Sequence, residues 1–171
     1  HEAVTTHPGI VEELTRRCQA LGATVVIGDS PPIALGTIEE YWRKTGMQSV
    51  ADRTGADLRS FEKEPRREIT IDDFLGRPVR IHVTDLYFRA NVVINLSKMK
   101  SHNYTILTGA VKNHYGLLPG VQKAQLHVRF PKTRQFGAII AGIYQAVPAH
   151  LNIMDGIEAM DGLGPAAGRV I

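Results

Sequence analysis

The chain has 171 residues, of which 43% are hydrophobic and 22% charged, and its formal net charge is +3. These values are typical of one globular domain with its own core, and they exclude disordered and collagen-like chains. The single cysteine, Cys18, excludes a disulfide framework or a cysteine-ligated cluster within the chain. No apolar run approaches the roughly 20 residues of a membrane-spanning helix and no signal segment opens the chain, so we expect a soluble, cytoplasmic protein.

The first elements in the chain predict half of a parallel α/β unit. Thr6 and Pro8 are typical of a helix start, and apolar residues at helical spacing follow as far as Gly22. Residues 23–27 form a β-branched run that predicts a short buried strand. Because ligands bind beyond the carboxyl ends of parallel strands, Asp29 and Ser30 are either ligand-binding residues or simple turn formers.

The next elements predict two short helices and then a small excursion of β-structure. Thr37 and Glu40 match a capping box, so a helix should begin there, and a second should span residues 47–53. Strands are predicted at residues 56–61, 68–71 and 79–83, which places the β excursion within residues 56–84.

The second half of the chain predicts two further buried strands, at residues 91–96 and 150–154, with a helix over residues 135–146 between them. We expect these two strands and the strand at 24–27 to be neighbours in one parallel sheet. The predicted fold class is therefore α/β, a layered domain whose mainly parallel sheet is flanked by helices. We expect residues 1–171 to form a single domain that is truncated at both ends.

The charges are distributed unevenly. No Asp or Glu occurs between Asp85 and Asp155, and those 69 residues carry eight Lys and Arg side chains, whereas the rest of the chain carries 12 cations and 17 anions. A basic block of this kind favours an anionic partner, because local charge sets the field around a site. The alternative is a solvated basic face. Nucleic-acid binding is not favoured, because the aromatic residues are too few and too scattered to form a stacking platform.

The basic block contains most of the candidate ligand-binding residues. Lys98, Lys100 and His102 alternate along an extended segment after a buried strand, so their side chains should project to one side. Five further residues later in the basic block could continue the site around a small anion. The full predicted ligand-binding set is Asp29, Ser30, Lys98, Lys100, Thr108, Gly109, Lys112, Asn113 and Lys123.

The candidate catalytic residues are two histidines and two carboxylates. Asp155 and Glu158 lie in a glycine-rich segment, predicted to be a loop, after the last buried strand. Carboxylates there could orient the cations or act as a base, and His102 or His127 could move a proton. His102, His127 and Asp155 are also weak candidates for a metal site, although no established metal-binding spacing is present.

Three segments resemble a known prokaryotic family. They are NVVINLSKMKSH at residues 91–102, TGAVKN at 108–113 and MDGIEAMDGLGP at 154–165. The family is catalogued as domain of unknown function 362, and the resemblance covers nearly the whole chain. Members are commonly described as iron–sulfur proteins because many carry a ferredoxin-like cysteine module beside this domain. The resemblance therefore implies a redox link, but with Cys18 alone any cluster would need residues outside this chain.

Three functions remain open at this point. The first is a domain that binds a small anionic ligand or cofactor in a pocket of Lys, His and Asp side chains, with catalysis and a redox role in the full-length protein. The second is a non-catalytic module that docks a redox partner or a ferredoxin-like module. The third is a metal-dependent enzyme that uses His and carboxylate ligands.

Overall fold

A computed structural model describes residues 3–31, 36–165 and 167–171, and it confirms the α/β class. In those ranges the helices are α1 (Pro8–Ala20), α2 (Ile38–Lys44), α3 (Met47–Thr54), α4 (Asp85–Arg89), α5 (Ala110–Asn113), α6 (Gly120–Arg129) and α7 (Thr133–Ala146), with a 3₁₀ turn at His114–Leu117. The strands are β1 (Val26–Asp29), β2 (Asp57–Ser60), β3 (Arg66–Asp72), β4 (Pro78–Thr84), β5 (Ile94–His102), β6 (Ile106–Thr108), β7 (Leu151–Asp161) and β8 (Arg169–Val170).

The strands form three sheets. The largest has the order β6-β5-β7-β8, in which the central pair β5–β7 is parallel and the two outer pairs are antiparallel. Strands β1 and β2 form a parallel pair, and β3 and β4 form an antiparallel hairpin. The predicted β excursion is therefore present: two of its strands form the hairpin, while the first pairs with β1.

The prediction that three buried strands share one parallel sheet is correct for β5 and β7 and wrong for β1, which pairs with β2. The reason lies at the edge of β5. There the Leu96 carbonyl accepts hydrogen bonds from the Thr6 hydroxyl (3.1 Å) and the Asn113 side-chain amide (3.2 Å). These side chains occupy an acceptor that a neighbouring strand would otherwise use. Ile27 of β1 and Leu96 nevertheless pack against the same core.

The predicted ends of two strands are also wrong. Strand β5 continues through residues 97–102 and β7 through residue 161, beyond the predicted ends at residues 96 and 154. Lys98 lies opposite Asp155 in the β5–β7 ladder, so the two charges compensate each other inside the sheet. Polar residues that resemble a loop in sequence are therefore compatible with a buried strand here.

Two apolar cores hold these elements together. In one core, α7 packs against the β3–β4 hairpin, and the buried residues include Phe136, Ile139 and Ile81. In the other, α1, α2 and α3 contribute Val11, Trp42 and Val50, against which side chains of β1, β2 and β5 pack.

The starts of α1 and α2 illustrate how local sequence determines helix boundaries. The capping box of Thr37 and Glu40 is formed, as predicted, and α2 begins directly after it. The N-cap of α1 is His7 rather than Thr6, and its Nδ1 accepts a hydrogen bond from the Gly9 amide at 3.1 Å. Thr6 is instead the residue that binds β5, so the segment before α1 is fixed against the central sheet.

Candidate functional site

A buried ion pair joins the two central strands. Lys98 Nζ lies 2.9 Å from Asp155 Oδ2, and the two residues are only 5% and 2% exposed. Asp155 also accepts hydrogen bonds from the backbone amides of His7 (2.8 Å) and Ile157 (3.2 Å). Burial raises the pKa of Asp155, but the Lys98 hydrogen bond and the two amides outweigh it and hold the pKa below its usual value.

A second network connects the end of β1 to the start of α6. Lys123 Nζ donates to the Ser30 carbonyl (2.5 Å) and to the Ser30 hydroxyl (2.8 Å). The Ser30 hydroxyl donates to Glu62 Oε1 at 2.5 Å, and the Gly120 amide donates to the same oxygen at 2.5 Å. The neighbouring Asp29 accepts a hydrogen bond from the Tyr41 hydroxyl at 2.8 Å. Asp29, Ser30 and Lys123 therefore lie together at the end of β1.

Two further lysines lie between these networks. Lys100 Nζ donates to the Val4 carbonyl at 2.6 Å, whereas Lys112 makes no hydrogen bond with any residue that the structure describes. Burial and the neighbouring Lys100 and Lys123 lower the pKa of Lys112 to about 8. Burial also lowers the pKa of Lys100 and of Lys123. We refer to Lys98, Lys100, Lys112 and Lys123 together as the lysine cluster.

The two candidate histidines have opposite proton arrangements. His102 Nδ1 accepts hydrogen bonds from the amides of Tyr104 (3.0 Å) and Thr105 (3.2 Å), so in the neutral ring Nε2 carries the hydrogen. His127 Nδ1 lies 2.7 Å from the Lys123 carbonyl, which can only accept, so the lone pair of the neutral ring is on Nε2. Burial, followed by the charges of Lys112, His127 and Lys100, lowers the pKa of His102 to about 4.

The segment from Thr108 to His114 contains two buried polar atoms that lack partners. Within the described ranges, Thr108 Oγ1 and His114 Nε2 are completely buried and make no hydrogen bond, as is also the case for Thr84 Oγ1 and Ser97 Oγ elsewhere. Lys112 lies between Thr108 and His114 in sequence. Burial lowers the pKa of His114 to about 4, partly offset by a hydrogen bond with the Val147 backbone. An adjacent cavity of about 480 Å³ is lined mainly by apolar groups from this segment, α7 and β7.

The other predicted site residues have less direct relations to the lysine cluster. Asn113 is a structural residue, because its side-chain amide donates to Asn95 Oδ1 (2.7 Å) and to Leu96. Gly109 is the N-cap of α5 and lines the cavity. Glu158 is exposed and has no hydrogen bond or ion pair with the described residues. In residues 3–31, 36–165 and 167–171, no three His, Cys, Asp or Glu side chains are grouped as a metal site requires.

Sequence reasoning missed Glu62 and Tyr41, which hold Ser30 and Asp29 in place. Glu62 belongs to a run of charged residues that resembles an ordinary surface loop, and Tyr41 follows a helix cap. Neither position carries a sequence signal of its own. The contact between Glu62, which follows β2, and Ser30 at the end of β1 can be recognised only once β2 is known to pair with β1.

The fold and this site define an α/β domain with a cluster of lysines contributed by the central strand β5 and by helices α5 and α6. The chain belongs to the family described as Domain of unknown function (DUF362), whose profile matches residues 1–171. It is 31% identical over 164 residues to the thylakoid-associated protein sll1697 of Synechocystis sp.. That alignment covers 95% of this chain and 49% of the relative, so the chain spans about half the relative's length. No solved structure matches the chain.

No helix among the described residues combines the length and the apolar character that crossing a bilayer demands.

Proposed function

We propose that this domain binds a small anionic ligand at the lysine cluster. The observation that carries the proposal is the position of Lys112, which is partly buried beside Lys100 and Lys123 and has no partner among the described residues. An uncompensated cation at such a position is costly, and a bound anion would compensate it.

The carboxylates near the cluster support this proposal because each is already occupied. Asp155 binds Lys98, Glu62 binds Ser30 and the Gly120 amide, and Asp29 binds Tyr41. None of the three makes an ion pair with Lys112. Two ammonium groups about 4 Å apart repel by roughly 1 kcal/mol even at the dielectric constant of water, and by more in a partly buried site. A phosphate or carboxylate group beside Lys112 would replace this repulsion with attraction between opposite charges.

Calorimetric titration with inorganic phosphate tests the proposal. We expect binding to the unmodified chain and a loss of about tenfold in affinity, equivalent to about 1.4 kcal/mol, for Lys112→Met. The matched control is Lys44→Met, which removes one exposed positive charge from the last turn of α2 and should leave the affinity unchanged. Equal weakening by both substitutions would mean that phosphate responds only to the overall charge, and the proposal would then be wrong.

The surface of α6 favours a second candidate function, the docking of an acidic redox protein such as a ferredoxin. Val121 and Val128 are 60% and 82% exposed, and the exposed side chains of Arg129, Lys132 and Arg134 follow them in sequence. Apolar side chains near cations are suited to an acidic protein surface. Titration with a purified ferredoxin tests this candidate: binding that weakens with salt and is lost in Val128→Asp would support it, whereas no binding at low salt would contradict it.

Two expectations about the whole protein stay predictions. With Cys18 as its single cysteine, this chain should contain no stoichiometric iron after purification, and any cluster would be held by other residues. Cytoplasmic localisation is likewise a prediction, and the name of the Synechocystis relative, which associates that protein with thylakoids, makes membrane fractionation the appropriate measurement.

A further inference from the structure

The four lysines of the cluster divide into three that are hydrogen-bonded and one that is not. Lys98 donates to Asp155, Lys100 to the Val4 carbonyl and Lys123 to Ser30. Each of these contacts requires a hydrogen on the nitrogen, and the acceptors favour the protonated amine. Lys112 has no such acceptor among the described residues. Its nitrogen is therefore the one in the cluster whose protonated form no described acceptor stabilises.

The surroundings of Lys112 combine two chemically different regions. It interacts with the charges of Lys100 and Lys123, neither of which lines the adjacent cavity of about 480 Å³. Lys112 itself lines that cavity, together with Leu107, Val111 and Met154. Among the described residues that line this cavity, Lys112 is the only ionisable one. A molecule placed at Lys112 would thus meet cations at one end and apolar side chains at the other.

We propose that Lys112 is a nucleophilic amine that forms an imine with a small 2-oxo acid. This inference rests on the proposed anion-binding function, because Lys100 and Lys123 would hold the carboxylate while the aliphatic tail enters the cavity. Burial and neighbouring cations activate lysines in this way, since both favour the neutral amine. The lowered pKa of Lys112, about 8, agrees with this role.

The chemical step is balanced without an oxidant or a reductant. The lone pair of the Lys112 nitrogen attacks the carbonyl carbon, and a proton moves from the nitrogen to the oxygen to give a carbinolamine. The oxygen takes a second proton from water and leaves as water as the carbon–oxygen bond breaks and the carbon–nitrogen bond becomes double. The iminium formed in this way returns its remaining proton to water to give the imine. One amine and one carbonyl compound give one imine and one water. Burial and the charge of Lys112 keep His102 neutral, so its Nε2 hydrogen can donate a hydrogen bond to the carbinolamine oxygen, while the protons that move come from the amine and from water.

Reductive trapping tests the inference. The chain is incubated with 2-oxohexanoate and sodium cyanoborohydride, which reduces an imine to a stable secondary amine, and the modified lysines are located by peptide mass spectrometry. We expect Lys112 to be labelled at least about tenfold faster than Lys44, the exposed control. The methyl ester of 2-oxohexanoate has the same carbonyl group without the charge, and it should lose this preference for Lys112. Lys112→Arg keeps the charge and should abolish the label at this position.

The possible results separate this inference from the proposed function. If phosphate binds but Lys112 is labelled no faster than Lys44, the imine inference is wrong and the anion site stands. If Lys112 is labelled equally fast by the acid and by its methyl ester, no carboxylate is recognised, and the inference is again wrong. The imine inference and the anion-binding function are both supported by three results together. Lys112 is labelled fast by the acid but not by its methyl ester, Lys112→Arg still binds phosphate, and Lys112→Arg carries no label at this position.

Discussion

Lys98 and Lys112 belong to the same cluster, but their own charged groups are satisfied to very different degrees. The Lys98 ammonium pairs with Asp155, whose carboxylate accepts three hydrogen bonds in all. Lys112 has no partner within the part of the chain that the structure describes. Buried groups without partners lie near both lysines: Ser97 Oγ is adjacent to Lys98, and Thr108 Oγ1 and His114 Nε2 lie on either side of Lys112 in sequence. Lys98 is part of the parallel pair β5–β7, next to a shift in its register, whereas Lys112 is part of the short helix α5.

This difference indicates which region stabilises the fold and which is available for a ligand. Lys98 is buried and paired with Asp155, so a ligand cannot reach its ammonium group without breaking that ion pair. Lys112 is only partly buried and has no partner among the described residues. Its unpaired charge reduces stability in the free protein, and a bound anion would offset that cost. We therefore place the stabilising role on Lys98 and Asp155 and the binding role on Lys112.

The largest expected effect is that of breaking the Lys98–Asp155 pair. Lys98→Met should lower the free energy of unfolding by about 3–5 kcal/mol, because it leaves a buried carboxylate without its cation. Urea denaturation measures this loss, and Lys44→Met is the control for removing an exposed lysine. Adding Asp155→Asn removes the unpaired carboxylate charge and keeps an oxygen that accepts hydrogen bonds from the His7 and Ile157 amides. The double variant should therefore be about 2 kcal/mol more stable than Lys98→Met alone. A loss below about 1 kcal/mol for Lys98→Met would contradict the assignment.

This first prediction also shows what the sequence could not reveal. From the clustering of cations alone, Lys98 and Lys112 are equivalent, and replacing either should be tolerated. Their difference depends on the ladder register that places Lys98 opposite Asp155, 57 residues away in sequence. Such a pairing is long-range, and no local pattern encodes it.

Local signals, in contrast, predicted their elements well. The capping box at Thr37 and the proline in the first turn of α1 predicted both helix starts to within a residue, because a cap acts on the adjacent turn. The parallel pairing of β5 and β7 followed from their continuous apolar runs. The predicted ends of these strands were wrong because the residues of a buried charged pair have the same polar sequence pattern as a loop. The basic block did identify Lys112, although nothing in the sequence indicates that it lacks a partner.

The second prediction concerns His114, whose unpaired nitrogen should make the fold sensitive to acid. Burial lowers the pKa of His114 from 6.5 to about 4, so the unfolded chain takes up a proton at a higher pH than the folded one. The stability contributed by neutral His114 is complete above pH 6.5 and is lost as the pH falls toward 4. We expect a loss of about 1–2 kcal/mol between pH 7 and pH 5.

Measuring unfolding at both pH values in His114→Gln isolates this contribution. That variant should show a smaller loss between pH 7 and pH 5 than the unmodified chain, since glutamine does not titrate. His82→Gln, which makes the same substitution at an exposed histidine on β4, is the matched control. His102 also has a lowered pKa and acts in the same direction, so part of the acid sensitivity should persist in His114→Gln. If His114→Gln and the unmodified chain lose stability equally, His114 is not buried in its neutral form.

The smallest expected effect belongs to Thr108, and it refines the comparison to the level of one hydroxyl group. Thr108 is 6% exposed, and its Oγ1 makes no hydrogen bond within the described ranges, so Thr108→Val removes an unpaired buried group while keeping the shape of the side chain. We expect the free energy of unfolding to rise by about 0.5–1 kcal/mol. Thr70→Val, which changes an exposed position of β3, should have almost no effect. Because a buried hydroxyl is out of reach of a ligand at Lys112, the affinity for phosphate should stay the same in Thr108→Val. A clear loss of phosphate affinity would instead place the Thr108 hydroxyl in contact with the anion, and the binding site would then extend from Lys112 to the end of β6.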